Sequence, residues 1–389
     1  MGLPCFLKKG GLRVMLALGP NELLKDVIER DLCIGCGACV DLCPYFKNYR
    51  GKTAMLFPCD LTQGRCHAYC PKAEVDMDEL SLQAWGRRYD GHPLGHYHRV
   101  VAARAGDKMV KGSFQAGGVV SALVALALEK EIIDAAALTD RDGLVPVPRL
   151  ATSRDDVVKY ATSKYMAAPT VSTIHQGAKE GFHRMGLVGT PCQVTAVAQM
   201  RANPLDRSDF KDPVALVVGL FCTWALDTRK LIPFLAQRVD PQEIRKMDIP
   251  PPPADVFVLE TTKGVIEIPL ADIRPHVPKG CLICPDMTAE WADVSVGVLE
   301  GQPDWNTLII RTEMGESLFQ EAVEKGWLIS KEIPQDSLDH LIFAAGNKKR
   351  RALKKASEDG LINSAAEAHH PALRLDEEVV QKIIESEEG

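Results

Sequence analysis

No stretch of this 389-residue chain is apolar for long enough to cross a bilayer. The most apolar segment, Val214 to Leu226, falls short of a span and is interrupted by Gly219, Cys222 and Thr223. Near the N-terminus, Lys8 and Lys9 precede only a brief apolar stretch, Val14 to Leu18, too short for the core of a secretion signal. An excess of positive charge is also missing. The net charge is −6, which argues against general nucleic-acid binding. Neither common phosphate-binding loop is present: Gly51-Lys52-Thr53 has the end of a P-loop, but position 46 is Phe rather than Gly, and Gly117-Gly118 lacks the G-x-G-x-x-G pattern. What remains is an ordinary globular composition, 46% hydrophobic and 25% charged, in a chain long enough for more than one domain.

Cysteine is what the chain has in quantity. Twelve cysteines in a short secreted protein would mean a disulfide framework, but in a chain of this length they point to a reducing cytoplasm, where grouped thiols usually bind metal. Cys33, Cys36, Cys39 and Cys43 followed by Pro44 form C-x2-C-x2-C-x3-C-P, the spacing of a bacterial ferredoxin cluster loop. Gly35 and Gly37 let the backbone turn tightly there, because glycine reaches positive φ without a Cβ clash. Such a run gives its fourth cysteine to a second cluster and so requires partners downstream. These come at Cys59, Cys66 and Cys70, in a repeat made irregular by Asp60 and Gln63.

Ferredoxin spacing assigns Cys33, Cys36, Cys39 and Cys70 to one [4Fe-4S] cluster, and Cys43, Cys59 and Cys66 to another that lacks a fourth ligand. Cys5, Asp60 and His67 are candidates for that position, and a [3Fe-4S] centre needs none. The plainer reading is one cluster plus buried cysteines acting as small hydrophobes. We place this ferredoxin-like domain at about residues 1–90, with Asn21 to Arg30 as a helix leading into the loop.

From residue 97 to about 335, strands alternate with helices, which indicates an α/β domain around a mostly buried sheet. Strands are expected at Arg99–Arg104, Asp134–Thr139, Met185–Val188, Val214–Leu220, Ala292–Leu299 and Thr307–Arg311, and a hairpin at Val256–Glu260 and Val265–Ile268. Cys192 and Cys222 each follow a strand's carboxyl end, where open α/β sheets place their sites, and Cys281 and Cys284 form a CxxC. Four cysteines from three loops suit a further [4Fe-4S] site, with a four-thiolate zinc ion as the alternative. Between the domains, His92, His96 and His98 read as a solvated linker, since Pro93 and Gly95 keep them off one helical face. Residues 336–389 read as a charged helical extension. Within it Lys348 to Lys355 looks like a solvated helix face and Leu375 to Gly389 like a partner contact or frayed end. Pro250 to Pro253 reads as a rigid spacer.

Six motifs occur in order: LCIGCGACVDLCP from Leu32, GGVVSALVALALE at 117–129, TSKY at 162–165, VGTPCQV at 188–194, GLFC at 219–222 and CLICPDMTAEWADVSVG at 281–297. Together they resemble the family of β subunits of coenzyme F420-dependent hydrogenases and dehydrogenases, over about residues 20–330. The resemblance implies FAD beside a [4Fe-4S] cluster ligated by Cys192, Cys222, Cys281 and Cys284. It also implies a flavin site that includes Gly117, Gly118, Ser163, Lys164, Tyr165, Gly189 and Thr190. A glycine-led helix start suits a pyrophosphate, Thr190 and the amides at Gly189 suit the flavin edge, and Lys164 suits a phosphate or a reduced anionic flavin. On their own, Gly117-Gly118 would more often be a plain helix start and Lys164 a surface lysine. The expected activity is hydride exchange between coenzyme F420 and FAD, with single electrons passing through two or three clusters to or from a partner subunit. Alternatives are NAD(P) or a chlorophyll-type acceptor, a flavin-free electron-transfer subunit, and a zinc-stabilised scaffold. No nickel or molybdenum motif is present, so hydrogen or formate chemistry would belong to another chain.

Overall fold

The computed structural model describes residues 18–109, 114–203, 205, 210–250, 254–363, 365 and 369–386. Cys5 and most of the proline run, 251–253, lie outside them. The main sheet has eight strands: β1 (Arg99–Ala105), β2 (Ala135–Asp142), β3 (Val145–Ala151), β4 (Met185–Gly189), β5 (Val214–Leu220), β6 (Val294–Leu299), β7 (Gln302–Ile310) and β8 (Leu328–Glu332). Their spatial order is β8-β1-β7-β6-β5-β4-β2-β3. The four central strands β6, β5, β4 and β2 run parallel, and the flanking pairings are antiparallel, so the sheet is mixed.

Strand alternation divides the core between the two faces. On β5, Leu216 and Val218 face one cluster of buried residues, and Val217 faces another. The first cluster is filled by α1 (Val119–Glu129), which is buried on nearly every side because it lies between the sheet and the helices Arg154–Lys159 and Glu313–Glu324. The other face carries the helices Val171–Glu180 and α2 (Pro191–Ala202), and on top of them the ferredoxin-like segment. Leu23, Phe46, Tyr69 and Leu80 thus share one continuous core with Ile174, Val194 and Val217.

Residues after 335 complete this core. The 24-residue helix α3 (Gln335–Glu358) leads to two short strands, Ile362–Asn363 and Leu373–Arg374, and Leu373 pairs in parallel with Val75 of the ferredoxin-like segment. The last helix, Glu377–Glu385, packs on α3 and buries Val380 and Ile383, so its apolar stripe is a contact within the chain rather than a frayed end. The histidine stretch is likewise no solvated linker: Leu94 is fully buried, and Arg311 binds the carbonyls of Leu94 and His96, both at 2.7 Å. The expected hairpin gains a third strand, Ile244–Asp248, and forms a separate lobe with its own core around Phe257 and Leu259.

Candidate functional site

The cluster loop is wedged between other loops at its glycines. Gly35 and Gly37 have φ of 67° and 91°. A Cβ on Gly37 would sit 2.4 Å from the Pro169 carbonyl oxygen, and one on Gly35 would sit 2.0 Å from that of Gly51. The CxxC loop presses on the same run, since a Cβ on Gly280 would lie 2.1 Å from the Leu32 carbonyl oxygen. Lys52, from the false P-loop, ties this region down through Asp31 at 2.8 Å and the Cys33 carbonyl at 2.7 Å. Its neighbour Thr53 hydrogen-bonds the Cys39 thiol.

The thiols act on one another's charge both within and between the three sets expected from the sequence. Burial raises Cys39 and Cys70 well above the ordinary thiol value, with further repulsion from Cys33 on both, from Cys70 on Cys39, and from Cys36 on Cys70. Burial also takes Cys66 up to about 12, with repulsion from Cys43 and Cys59. The third set is Cys192, pushed by burial to about 12, together with Cys222, Cys281 and Cys284. Between sets, Cys192 is the strongest of the charges acting on Cys36, and Cys66 acts on Cys39. None of the described cysteines is in a disulfide. Buried thiols so grouped ionise only if a positive group joins them. Among the described residues no three His, Cys, Asp or Glu side chains converge tightly enough for a single metal ion. His67 is buried. Its Nδ1 accepts from the Leu18 amide at 3.3 Å, and the charges that reach it come from Glu74, Asp26, Glu22 and His370.

Of the residues expected at a flavin site, Gly189 and Thr190 lie at the carboxyl end of a parallel strand, and Gln115 draws the 162–165 loop to the start of α1. Gly118, at φ 78°, opens α1, whose first amide, on Val119, donates to Asn306 Oδ1 at 3.3 Å. Gln115 links this point to the 162–165 loop: its Oε1 accepts from the Ser163 amide at 3.2 Å, and its Nε2 donates to Tyr165 and to Asp248. Thr162 and Tyr165 both sit in the left-handed region, at φ 81° and 56°, a strain that non-glycine residues hold chiefly at functional loops. Lys164 is folded inward, donating to the carbonyls of Tyr160, Ala161 and Thr162 at 2.7–2.9 Å, and burial lowers it to about 8. Gly189 ends β4, and Thr190 caps α2 with its hydroxyl 3.3 Å from Cys192 Sγ. The Tyr165 loop closes on the Cys222 loop through the amide of Leu226, which donates to the Tyr165 carbonyl at 2.9 Å.

A buried charged shell backs the third thiol set. Lys348, expected on a solvated face, is buried and donates to the Cys222 and Asp286 carbonyls, both at 2.5 Å. Lys349 is buried too and pairs with Glu290 at 2.7 Å. Asp286 caps the turn beyond the CxxC through the amides of Thr288 and Glu290, both at 2.9 Å. Arg311 is fully buried, and burial lowers it to about 10. The sequence shows this shell only as the basic run itself, because each of these partners is remote along the chain.

Comparison with known proteins identifies the family. The model of the coenzyme F420 hydrogenase/dehydrogenase beta subunit N-terminal part matches residues 100–175, and that of its C terminus matches 182–336. A 4Fe-4S binding domain matches residues 26–45. The coenzyme F420 hydrogenase subunit beta of Methanothermobacter thermautotrophicus is 31% identical over 269 residues, covering 67% of this chain and 94% of that protein. A subunit of the F(420)H(2) dehydrogenase of Methanosarcina mazei is 29% identical over 321 residues, covering 76% of this chain and 84% of the relative. A chain of the F420-reducing [NiFe] hydrogenase complex from Methanosarcina barkeri superposes with a TM-score of 0.64 at 29% identity, covering 68% of this chain and 93% of that one. The chain belongs to the family of coenzyme F420 hydrogenase/dehydrogenase beta subunits, with a 4Fe-4S binding domain in the same polypeptide.

Proposed function

We propose that this chain is an iron–sulfur flavoprotein subunit that exchanges hydride between coenzyme F420 and FAD and relays single electrons to or from a partner subunit. The observation that carries the proposal is the coupling of buried thiols from all three groups, through Cys39–Cys66 and Cys36–Cys192, together with the Thr190 hydroxyl of the proposed flavin crevice 3.3 Å from Cys192 Sγ. When bound, FAD supplies two-electron hydride chemistry and iron–sulfur clusters supply one-electron transfer.

The residues divide the remaining work. Cys33, Cys36, Cys39 and Cys70 would hold the middle cluster, and Cys192, Cys222, Cys281 and Cys284 the one next to the crevice. Cys43, Cys59 and Cys66 would hold the outermost centre. Leu56, Phe57 and Leu61, close to Cys59 in sequence, are exposed, an apolar stretch from which a partner would exchange electrons. In the crevice, the first turn of α1 presents the amides of Val120 and Ser121, which have no acceptor among the described residues, to the pyrophosphate. Ser163 and Tyr165 are held by Gln115 to line the cofactor, and Thr190 touches both the crevice and Cys192. Lys164 shapes its loop through three carbonyls, and its ammonium would supply positive charge to a bound anion.

The test is anaerobic. The protein is loaded with iron, sulfide and FAD, then mixed with reduced coenzyme F420, NADH or NADPH in separate runs. Rapid bleaching of flavin and cluster absorbance by reduced F420 alone is expected. Bleaching by a nicotinamide instead would transfer the mechanism to another hydride carrier. Failure to retain any flavin would leave an electron-transfer subunit without FAD.

A further inference from the structure

We propose that Asp248, the last residue of the lobe strand Ile244–Asp248, is the positioning residue that holds the 162–165 loop and the start of α1 in the geometry FAD needs. This rests on the flavin reading above and names the part of the molecule that shapes the site, the three-stranded lobe. Asp248 acts through Gln115 and Tyr165, not by contact with the cofactor.

One oxygen of Asp248 gathers segments that are far apart in sequence. Its Oδ1 accepts from the Tyr165 hydroxyl at 2.7 Å, from Gln115 Nε2 at 2.8 Å and from the Ile249 amide at 2.8 Å. The donors also meet one another: Gln115 Nε2 and the Ile249 amide each lie 3.3 Å from the Tyr165 oxygen. The Tyr165 ring packs edge-on against Phe257 in the lobe core, with centroids 6.1 Å apart, and Met166 and Leu226 join the same core. A second tie seats this strand on the main sheet, where Arg141 of β2 donates to the Arg245 carbonyl at 2.6 Å. Lys246 approaches the other carboxylate oxygen of Asp248 at 3.8 Å.

A carboxylate only accepts hydrogen bonds, and that fixes the polarity of the whole knot. Gln115 must turn its amide nitrogen to Asp248, which leaves Oε1 for the Ser163 amide at 3.2 Å. Tyr165 must donate, and burial together with the Asp248 charge raises its phenol above the ordinary value and keeps the proton in place. The loop so fixed is strained, with Thr162 and Tyr165 at φ 81° and 56°, and strain of this kind persists only where the surroundings over-determine it. Gln115 also lies two residues before Gly117, where a Cβ would meet Asn306 Oδ1 at 2.9 Å. The side chain that orders Ser163 is therefore anchored beside the glycine-led turn. Without Asp248 the Gln115 amide is free to flip, and the two ends of the site lose their common reference.

The experiment is a fluorescence titration of FAD into the full-length, iron-loaded protein, with iron content and the circular dichroism of the bound flavin as further readouts. The parent is titrated first. A parent that binds no FAD ends the flavin reading, and this inference with it, before any variant is made. Asp248→Ala is expected to weaken FAD by about tenfold or more, the cost of losing charge-assisted hydrogen bonds, with iron content unchanged. Parent-like affinity in that variant would overturn the proposal. Exchanging the pair separates positioning from a merely structural role. Gln115→Glu sets two carboxylates against each other and is expected to weaken FAD as much. Adding Asp248→Asn to it again faces a donor with an acceptor, so the double variant is expected to recover most of the affinity and the parent dichroism, a coupling that independent sites do not show. A double variant no better than Gln115→Glu would overturn the proposal, whether or not Asp248→Ala folds.

Discussion

At Gly280 a single hydrogen atom in place of a side chain decides how close two loops can come. The Leu32 carbonyl oxygen lies where a Cβ would be, so Gly280→Ala must part the CxxC loop from the ferredoxin-type loop. Backbone cannot yield as the tip of a side chain can, and the expected destabilisation is about 1–3 kcal/mol. Chemical denaturation should show it, and iron analysis should show loss from both inner sets. A fully loaded variant of unchanged stability would mean that the loops need not touch. The cysteine spacing was legible at this scale because Cys33, Cys36 and Cys39 lie within one turn of chain and their geometry is local. Lys52 was not, since nothing beside it in sequence shows that its ammonium reaches Asp31 and the Cys33 carbonyl.

Among the elements, α3 departs most from its sequence. KKRRALKK has the look of a solvated face, yet Lys348 and Lys349 point inward because carbonyls and a carboxylate from residues 222, 286 and 290 meet them there. Burial pushes the Glu290 carboxyl up from 4.5 to about 7, with Lys349 pulling the other way. The folded state thus holds this proton more tightly than the unfolded chain does. That contribution to stability is complete below about pH 4.5 and is lost as pH rises through about 7. Lys349→Met removes the opposing cation. We expect a small cost at pH 5, where Glu290 can stay protonated, and about 3–5 kcal/mol at pH 8, where a buried carboxylate would stand alone. Urea unfolding at the two pH values measures this, and a cost independent of pH would assign the lysine to packing. The central strands were readable as apolar runs. The edge strands were not: β3 carries Pro146 and Pro148, tolerated because one side of it has no ladder to join, and β8 exposes most of its residues.

For the whole molecule, the separation into a ferredoxin-like piece, an α/β piece and a tail describes the sequence better than it describes the packing. One core runs through all three, with Val75 and Leu80 against Leu361, Leu373 and Ile383, and against Val194 and Val217. Ending the chain at Gly360 would remove the strand partner of Val75 and the cover over Gly91. The expected result is loss of iron from the ferredoxin-like sets with flavin retained, read from iron-to-flavin ratios. Unchanged ratios would show that the tail is dispensable. The pairing of Leu373 with Val75 also has a consequence in time. Translation proceeds at about 5–20 residues per second, so the partner strand is made roughly 15–60 s after Val75. The earliest thiols therefore leave the ribosome long before their sheet can close, and must be kept reduced and unclaimed by stray metal until the last residues are released.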